Sequence, residues 1–146
     1  MNMTTAADVK PFVERVGREL QRAERYRIFV SLIVLDLNSI EADSGGGEIA
    51  DLAKLVDLVT GNTRSVDYTA LVETGKVAVL LPETPRQGAE VAGRRVAEII
   101  RSSFQSVSSD SGDHVIPLEM ASFPDAAGAR TVQQMLSDIA PLETNN

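Results

Sequence analysis

The chain has 146 residues, 43% hydrophobic and 24% charged, and 14 Lys and Arg against 21 Asp and Glu leave a formal net charge of −7. That length suits one domain spanning 1–146, able to bury roughly two-thirds of its unfolded surface, while the acidic balance offers no basic face to a nucleic-acid backbone. No Cys and a single His exclude disulfides, thiol nucleophiles, Cys-held metals and a His-rich metal centre, and four Phe, two Tyr and no Trp make a poor stacking platform for single strands.

Val9, Phe12, Val13, Val16, Leu20 and Ala23 recur at steps of three and four, which predicts an amphipathic helix over 7–24 with Thr4 or Thr5 as its cap. The opposite face interleaves Arg15, Arg18, Arg22 and Arg25 with Glu14, Glu19 and Glu24. It reads as a solvated, salt-bridged surface or, alternatively, as an anion-binding stripe. Residues 28–37 (IFVSLIVLDL) are a continuous, β-branched apolar run of strand length, the pattern of a central strand buried on both faces. The uncharged stretch 28–35 falls far short of the ~20 residues that cross a bilayer, and no charged-then-apolar leader opens the sequence. A cytoplasmic protein without membrane insertion is therefore expected.

Residues 38–47 end in Gly45-Gly46-Gly47 and read as a loop. The span 48–60 is helical, with Ile49, Leu52, Leu55, Val56 and Val59 on one face and Gly61-Asn62 as its stop. Two short strands, 67–72 and 77–81, flank Glu73-Thr74-Gly75-Lys76, a tight hairpin in which Gly75 can take positive φ. Pro82 ends the second strand. Residues 85–104 form a helix with Ala89, Ala92, Val96, Ile99 and Ile100 inward, and small Ala89, Ala92, Gly93 and Ala97 imply close packing onto a sheet. The Ser/Asp/Gly-rich span 102–113 reads as a loop. Residues 115–123 alternate, with Ile116, Leu118 and Met120 on one face and Pro117 marking an edge or irregular strand. A last helix, 131–139, turns Val132, Met135, Leu136 and Ile139 inward, ahead of a polar tail at 143–146. The order α-β-α-β-β-α-β-α predicts an α+β fold with helices flanking a central, mostly antiparallel sheet.

Three chemical motifs fail on inspection. Thr74-Gly75-Lys76 resembles the end of a phosphate loop, but position 70 is Ala and position 77 is Val where that motif needs Gly and Ser or Thr. The Gly45-Gly46-Gly47 run lacks the spacing of a dinucleotide fingerprint. His114 has serines and aspartates nearby but no Gly-x-Ser-x-Gly elbow. Asp36, at the end of the buried strand, is of the type that holds a hard cation, but the next polar residue on its side is Asn38, an uncharged ligand. No catalytic residue, metal or cofactor is expected.

The order of pieces across 25–101 is more specific. A helix runs into RYRIFVSLIVLDLNSI, a second helix ends at Arg64-Ser65-Val66-Asp67, and a hairpin leads into VAVLLPET and a helix carrying Arg95. This framework resembles a GGDEF domain, the fold of diguanylate cyclases, and 122–126 (SFPDA) with the last helix fit the family's closing strand and helix. The resemblance implies a nucleotidyl-cyclase-like sheet. Counted from Asp67, the five signature positions are Glu73, Thr74, Gly75, Lys76 and Val77. By that comparison the glycines that admit GTP are gone, the acidic pair has become Gly75 and Lys76, and only Asp36 remains of the metal-binding acids. The loop after Asp36 is shorter than in the family and lacks its guanine-binding residues. Phosphoryl transfer depends on metal neutralising the phosphates, so the resemblance implies a catalytically inactive member.

The family's inhibitory site is an Arg-x-x-Asp five residues before the signature, completed by an Arg on the next helix. The matching residues are Arg64, Asp67 and Arg95. The resemblance thus implies a ligand site for cyclic di-GMP, with arginines on phosphate and guanine and the Asp on a guanine edge. Read from the residues alone, Arg64 and Asp67 equally suit a local pair at a helix end, and Arg95 a solvated helix position. Two roles follow from these readings: a non-enzymatic signalling domain that binds cyclic di-GMP, or an interaction or scaffold domain that meets a partner protein or another copy of itself and takes no nucleotide.

Overall fold

The computed structural model describes residues 6–37, 49–73, 75–105, 116–124 and 128–139. In chain order they form α1 (Ala6–Tyr26), β1 (Val30–Asp36), α2 (Ile49–Gly61), β2 (Tyr68–Glu73), β3 (Lys76–Pro82), α3 (Arg86–Gln105), β4 (Leu118–Phe123) and α4 (Val132–Ile139). The four strands make one antiparallel sheet in the order β2-β3-β1-β4. The expected α+β architecture is present, and every strand pairing in it is antiparallel.

The continuous apolar run of β1 has a simple cause. Its side chains alternate between two cores, one on each face of the sheet. Val30, Leu32 and Val34 join Phe12, Val16 and Leu20 of α1 and Val132, Met135, Leu136 and Ile139 of α4. Ile33 and Leu35 face the other way, onto Leu55 and Val59 of α2 and Ala89, Val96 and Ile100 of α3. The strand is central: Leu32 lies opposite Leu80 of β3 and Ala121 of β4. The helical periodicities therefore report which layer each helix covers, α1 and α4 on one side, α2 and α3 on the other. Among the described residues no helix is long and apolar enough to cross a membrane.

Element ends differ from the sequence reading for identifiable reasons. The strand expected from 28 begins at Val30, because α1 ends in a Schellman turn in which Ile28 N–H reaches the Ala23 carbonyl at 3.1 Å and Arg27 takes φ 56°. Arginine in the position usually held by glycine hides that stop. Asp67 does not open β2. It closes a turn, its N–H donating to the Arg64 carbonyl at 3.0 Å, so the strand starts at Tyr68. The loop expected from 102 is still helix through Gln105. Gly93 explains the close approach of α3: a Cβ there would stand 2.9 Å from Leu118 Cδ2. The caps at Thr4 or Thr5, the loop 38–47, His114, the rest of the 102–113 loop and the tail fall outside the described residues.

The hairpin is tighter than four residues. Glu73 pairs with Lys76, and Gly75, in the turn between them, sits at φ 83°. A β-branched side chain there is strained against its own carbonyl. Gly75→Val is therefore expected to cost on the order of 1–2 kcal/mol, read as a lower urea midpoint at unchanged m-value. An unchanged midpoint would remove this turn assignment.

Candidate functional site

Two places in the fold bear on chemistry, at opposite ends of the sheet. The first is the hairpin end. Asp36, the last residue of β1, lies in register opposite Lys76, and Leu37 N–H donates to the Gly75 carbonyl at 2.6 Å. Directly opposed residues of an antiparallel pair share a face, so the cation of Lys76 stands beside the carboxylate that a metal would need. Among the described residues no group of three or more His, Asp or Glu could hold a metal ion.

The second is a cleft at the other end of the strands, of about 500 Å³ and lined by Arg64, Asp67, Thr84, Val91 and Arg95 among others. Its construction starts where α2 stops. Asn62 and Thr63 turn back on the helix, Asn62 Nδ2 to the Leu58 carbonyl at 2.9 Å and Thr63 Oγ1 to the Thr60 carbonyl at 3.2 Å, satisfying carbonyls that a helix end leaves open. The chain then folds into the Arg64–Asp67 turn. Asp67 Oδ2 accepts from the Arg64 backbone N–H at 2.9 Å and from Arg64 Nε at 3.2 Å, and Oδ1 accepts from Nη2 at 2.8 Å. The carboxylate is 3% exposed, whereas the arginine side chain is 52% exposed. The structure thus brings all three sequence-singled residues to one cleft, but with unequal access. Arg64 and the exposed Arg95 of α3 face solvent, and Asp67 lies beneath Arg64.

One residue of this cleft was not singled out from sequence. Thr84 is buried, and its hydroxyl donates to the Pro82 carbonyl at 2.9 Å while accepting from Arg64 Nη2 at 2.6 Å. Arg64 Nη2 also reaches the Pro82 carbonyl at 3.1 Å. A Thr just before Pro and a helix reads in sequence as a possible cap, and nothing local in VAVLLPET points twenty residues back to Arg64.

On the basic face of α1, Arg15 and Arg22 are ion-paired. Glu19 meets Arg22 at 3.3 Å and Arg15 at 3.8 Å, and Arg22 reaches Glu83 at 3.1 Å. The hydrogen bond that Arg22 donates to Glu83, aided by the Glu19 charge, raises the Arg22 pKa above its ordinary value. The Arg15 guanidinium lies over the Tyr68 ring, 4.1 Å from its centroid. Glu83 itself adopts φ 53°.

Compared by sequence, the chain matches no protein-family model and no curated protein. Compared by structure, it is similar to GGDEF domains. It shares 26% identity and a TM-score of 0.57 with the GGDEF domain of TpbB, also called YfiN, from Pseudomonas aeruginosa, over 88% of this chain and 76% of that one. It is also similar to the diguanylate cyclase SiaD of the same organism, solved in complex with its activator SiaC (21% identity, TM-score 0.53, 77% of this chain). A third similar structure is PelD of Pseudomonas aeruginosa in complex with c-di-GMP (16% identity, TM-score 0.55, 91% of this chain). The chain spans 44% of the SiaD and PelD chains.

Proposed function

We propose that this GGDEF-like domain is a cytoplasmic signalling module that makes no cyclic di-GMP and binds it at the Arg64–Asp67–Arg95 cleft. The observation that carries this reading is the convergence of the Arg64–Asp67 turn with Arg95 of α3, about thirty residues on in sequence, on one cleft of about 500 Å³, within the usual size of a small-molecule site. Half-exposed Arg64 and exposed Arg95 offer planar, permanently charged donors of the kind that take phosphate in two hydrogen bonds and stack on a purine. Exposed Val91 adds apolar surface to the same cleft. The hairpin end supports the inactive half of the reading: Gly75 and Lys76 stand at the positions of the family's acidic pair, and Lys76 is in register with Asp36. PelD shows that a protein similar in fold to this one takes c-di-GMP, and SiaD that another is paired with an activator protein.

Two measurements test the proposal. Calorimetric titration of cyclic di-GMP into the protein is expected to give saturable binding in the micromolar range or tighter. Incubation with GTP and Mg²⁺ or Mn²⁺, followed by chromatography, is expected to give no cyclic product. Product that disappears in Asp36→Ala overturns the inactive assignment. Absence of binding at high micromolar nucleotide overturns the receptor assignment and leaves the domain as a docking module for a partner protein or a second copy.

A further inference from the structure

We infer that Thr84 is the positioning residue of the cleft, acting on Arg64 and not on the ligand; the inference rests on the cyclic di-GMP reading above. An arginine on a turn after a helix has several rotatable bonds, and ordering it at the moment of binding costs conformational entropy. Here it is ordered in advance from two sides. Asp67 takes Nε and Nη2 from the turn itself. On the far side Nη2 meets the Pro82 carbonyl at the end of β3 and the Thr84 hydroxyl two residues on. Nη2 has two N–H groups for these three acceptors, so one is shared. Nε and Nη2 are thereby turned into the protein, and the side chain stays half exposed for a phosphate.

Only a hydroxyl does this work at position 84. Its proton is committed to the Pro82 carbonyl, which orients a lone pair toward Arg64. The residue is itself anchored: its carbonyl accepts from the buried Ser31 Oγ at 2.7 Å, and Ser31 Oγ also lies 2.7 Å from Ser122 Oγ. Its methyl packs over Gly88, where a Cβ would stand 3.1 Å from Thr84 Cγ2. The neighbouring Glu83, at φ 53°, is held from α1 by Arg22. The corner Pro82–Thr84 is thus fixed to β1 and to α1, and Arg64 inherits that rigidity.

The test is a double-mutant cycle read by calorimetric titration of cyclic di-GMP, together with the NMR signal of the Arg64 Nε–H group in the free protein. Thr84→Val, which keeps shape and removes the oxygen, is expected to weaken binding about tenfold. Thr84→Ser, which keeps the oxygen, is expected to stay within about twofold of wild type. In an Arg64→Ala background Thr84→Val is expected to change affinity no further, because its effect runs through the missing side chain. In the free protein the Arg64 Nε–H signal is expected to be shifted from its free-chain position and to move back toward it in Thr84→Val but not in Thr84→Ser. An additive effect of Thr84→Val on top of Arg64→Ala overturns the inference, as does a serine variant as weak as the valine one. If wild type binds no cyclic di-GMP, the ligand reading fails by itself. The positioning of Arg64 then stands or falls on the Nε–H signal alone, and an unchanged signal in Thr84→Val overturns it.

Discussion

Leu80→Ala is expected to destabilise the domain by about 2–5 kcal/mol, read from the urea midpoint. Leu80 is fully buried in a strand that pairs on both sides, opposite Leu32 of β1 and Tyr68 of β2. It belongs to the core shared with α1 and α4, so truncation opens a gap between the sheet and the helical layer that covers it. Since a domain of this kind is stable by only ~5–15 kcal/mol, the variant is expected to approach the edge of folding. Val91→Ala, at a residue 65% exposed, is expected to leave the midpoint within about 0.5 kcal/mol. A loss below about 1 kcal/mol for Leu80→Ala would show that the α1 and α4 layer does not pack on the sheet as described.

Arg64→Ala is expected to weaken cyclic di-GMP binding by roughly ten- to a hundredfold, since a charge-assisted bond to phosphate is worth about 1.5–3 kcal/mol and each 1.4 kcal/mol is a decade. The same change strips Asp67 of its partner. A carboxylate 3% exposed then loses both guanidinium bonds and keeps the backbone N–H of residue 64, so some loss of stability accompanies the loss of affinity, and the thermal midpoint is measured alongside. Arg64→Lys keeps the charge but loses the fork that spans both Asp67 oxygens, and is expected to bind more weakly than wild type. Lys76→Ala is expected to change little. It lies at the opposite end of β3 from Pro82, about 20 Å away at ~3.3 Å per residue. Binding that survives Arg64→Ala and vanishes in Lys76→Ala would move the ligand to the hairpin end.

What could be read from the sequence was what depends on short-range pattern. The three-and-four spacing of α1, the inward set of α4 and the apolar run of β1 each follow from burial on one or two faces. Gly75 between two strand-like segments was legible because positive φ narrows the choice of residue. Arg27 and Glu83 hid two positive-φ corners, since neither residue type signals that conformation; Arg27 takes it in the turn that ends α1, and Glu83 takes it where Arg22 of α1 reaches it. The candidate site divides in the same way. Arg64 and Asp67 are three apart, and a turn can be inferred from that spacing. The depth of Asp67 and the Thr84 contact arise from the end of β3 meeting the end of α2, which no local spacing encodes.

The strand order also sets the tempo of assembly. β2 and β3 are a local hairpin closed by the Glu73–Lys76 pair, and such a hairpin forms in roughly 1–10 μs. The pairing of β1 with β4 is of another kind. Even its nearest partners, Leu35 and Leu118, lie more than half the chain apart. Closing that span costs chain entropy before any of its contacts is gained. The hairpin is therefore expected to act early, with β4 and the layer of α4 arriving last. Core substitutions in β4, such as Ala121→Gly, are expected to speed unfolding more than they slow folding, while those in the hairpin do the reverse. The last strand to arrive is also an edge of the sheet. Until it docks, the flank of β1 is an open row of backbone donors and acceptors, and that interval is when the chain is most exposed to pairing with a neighbour.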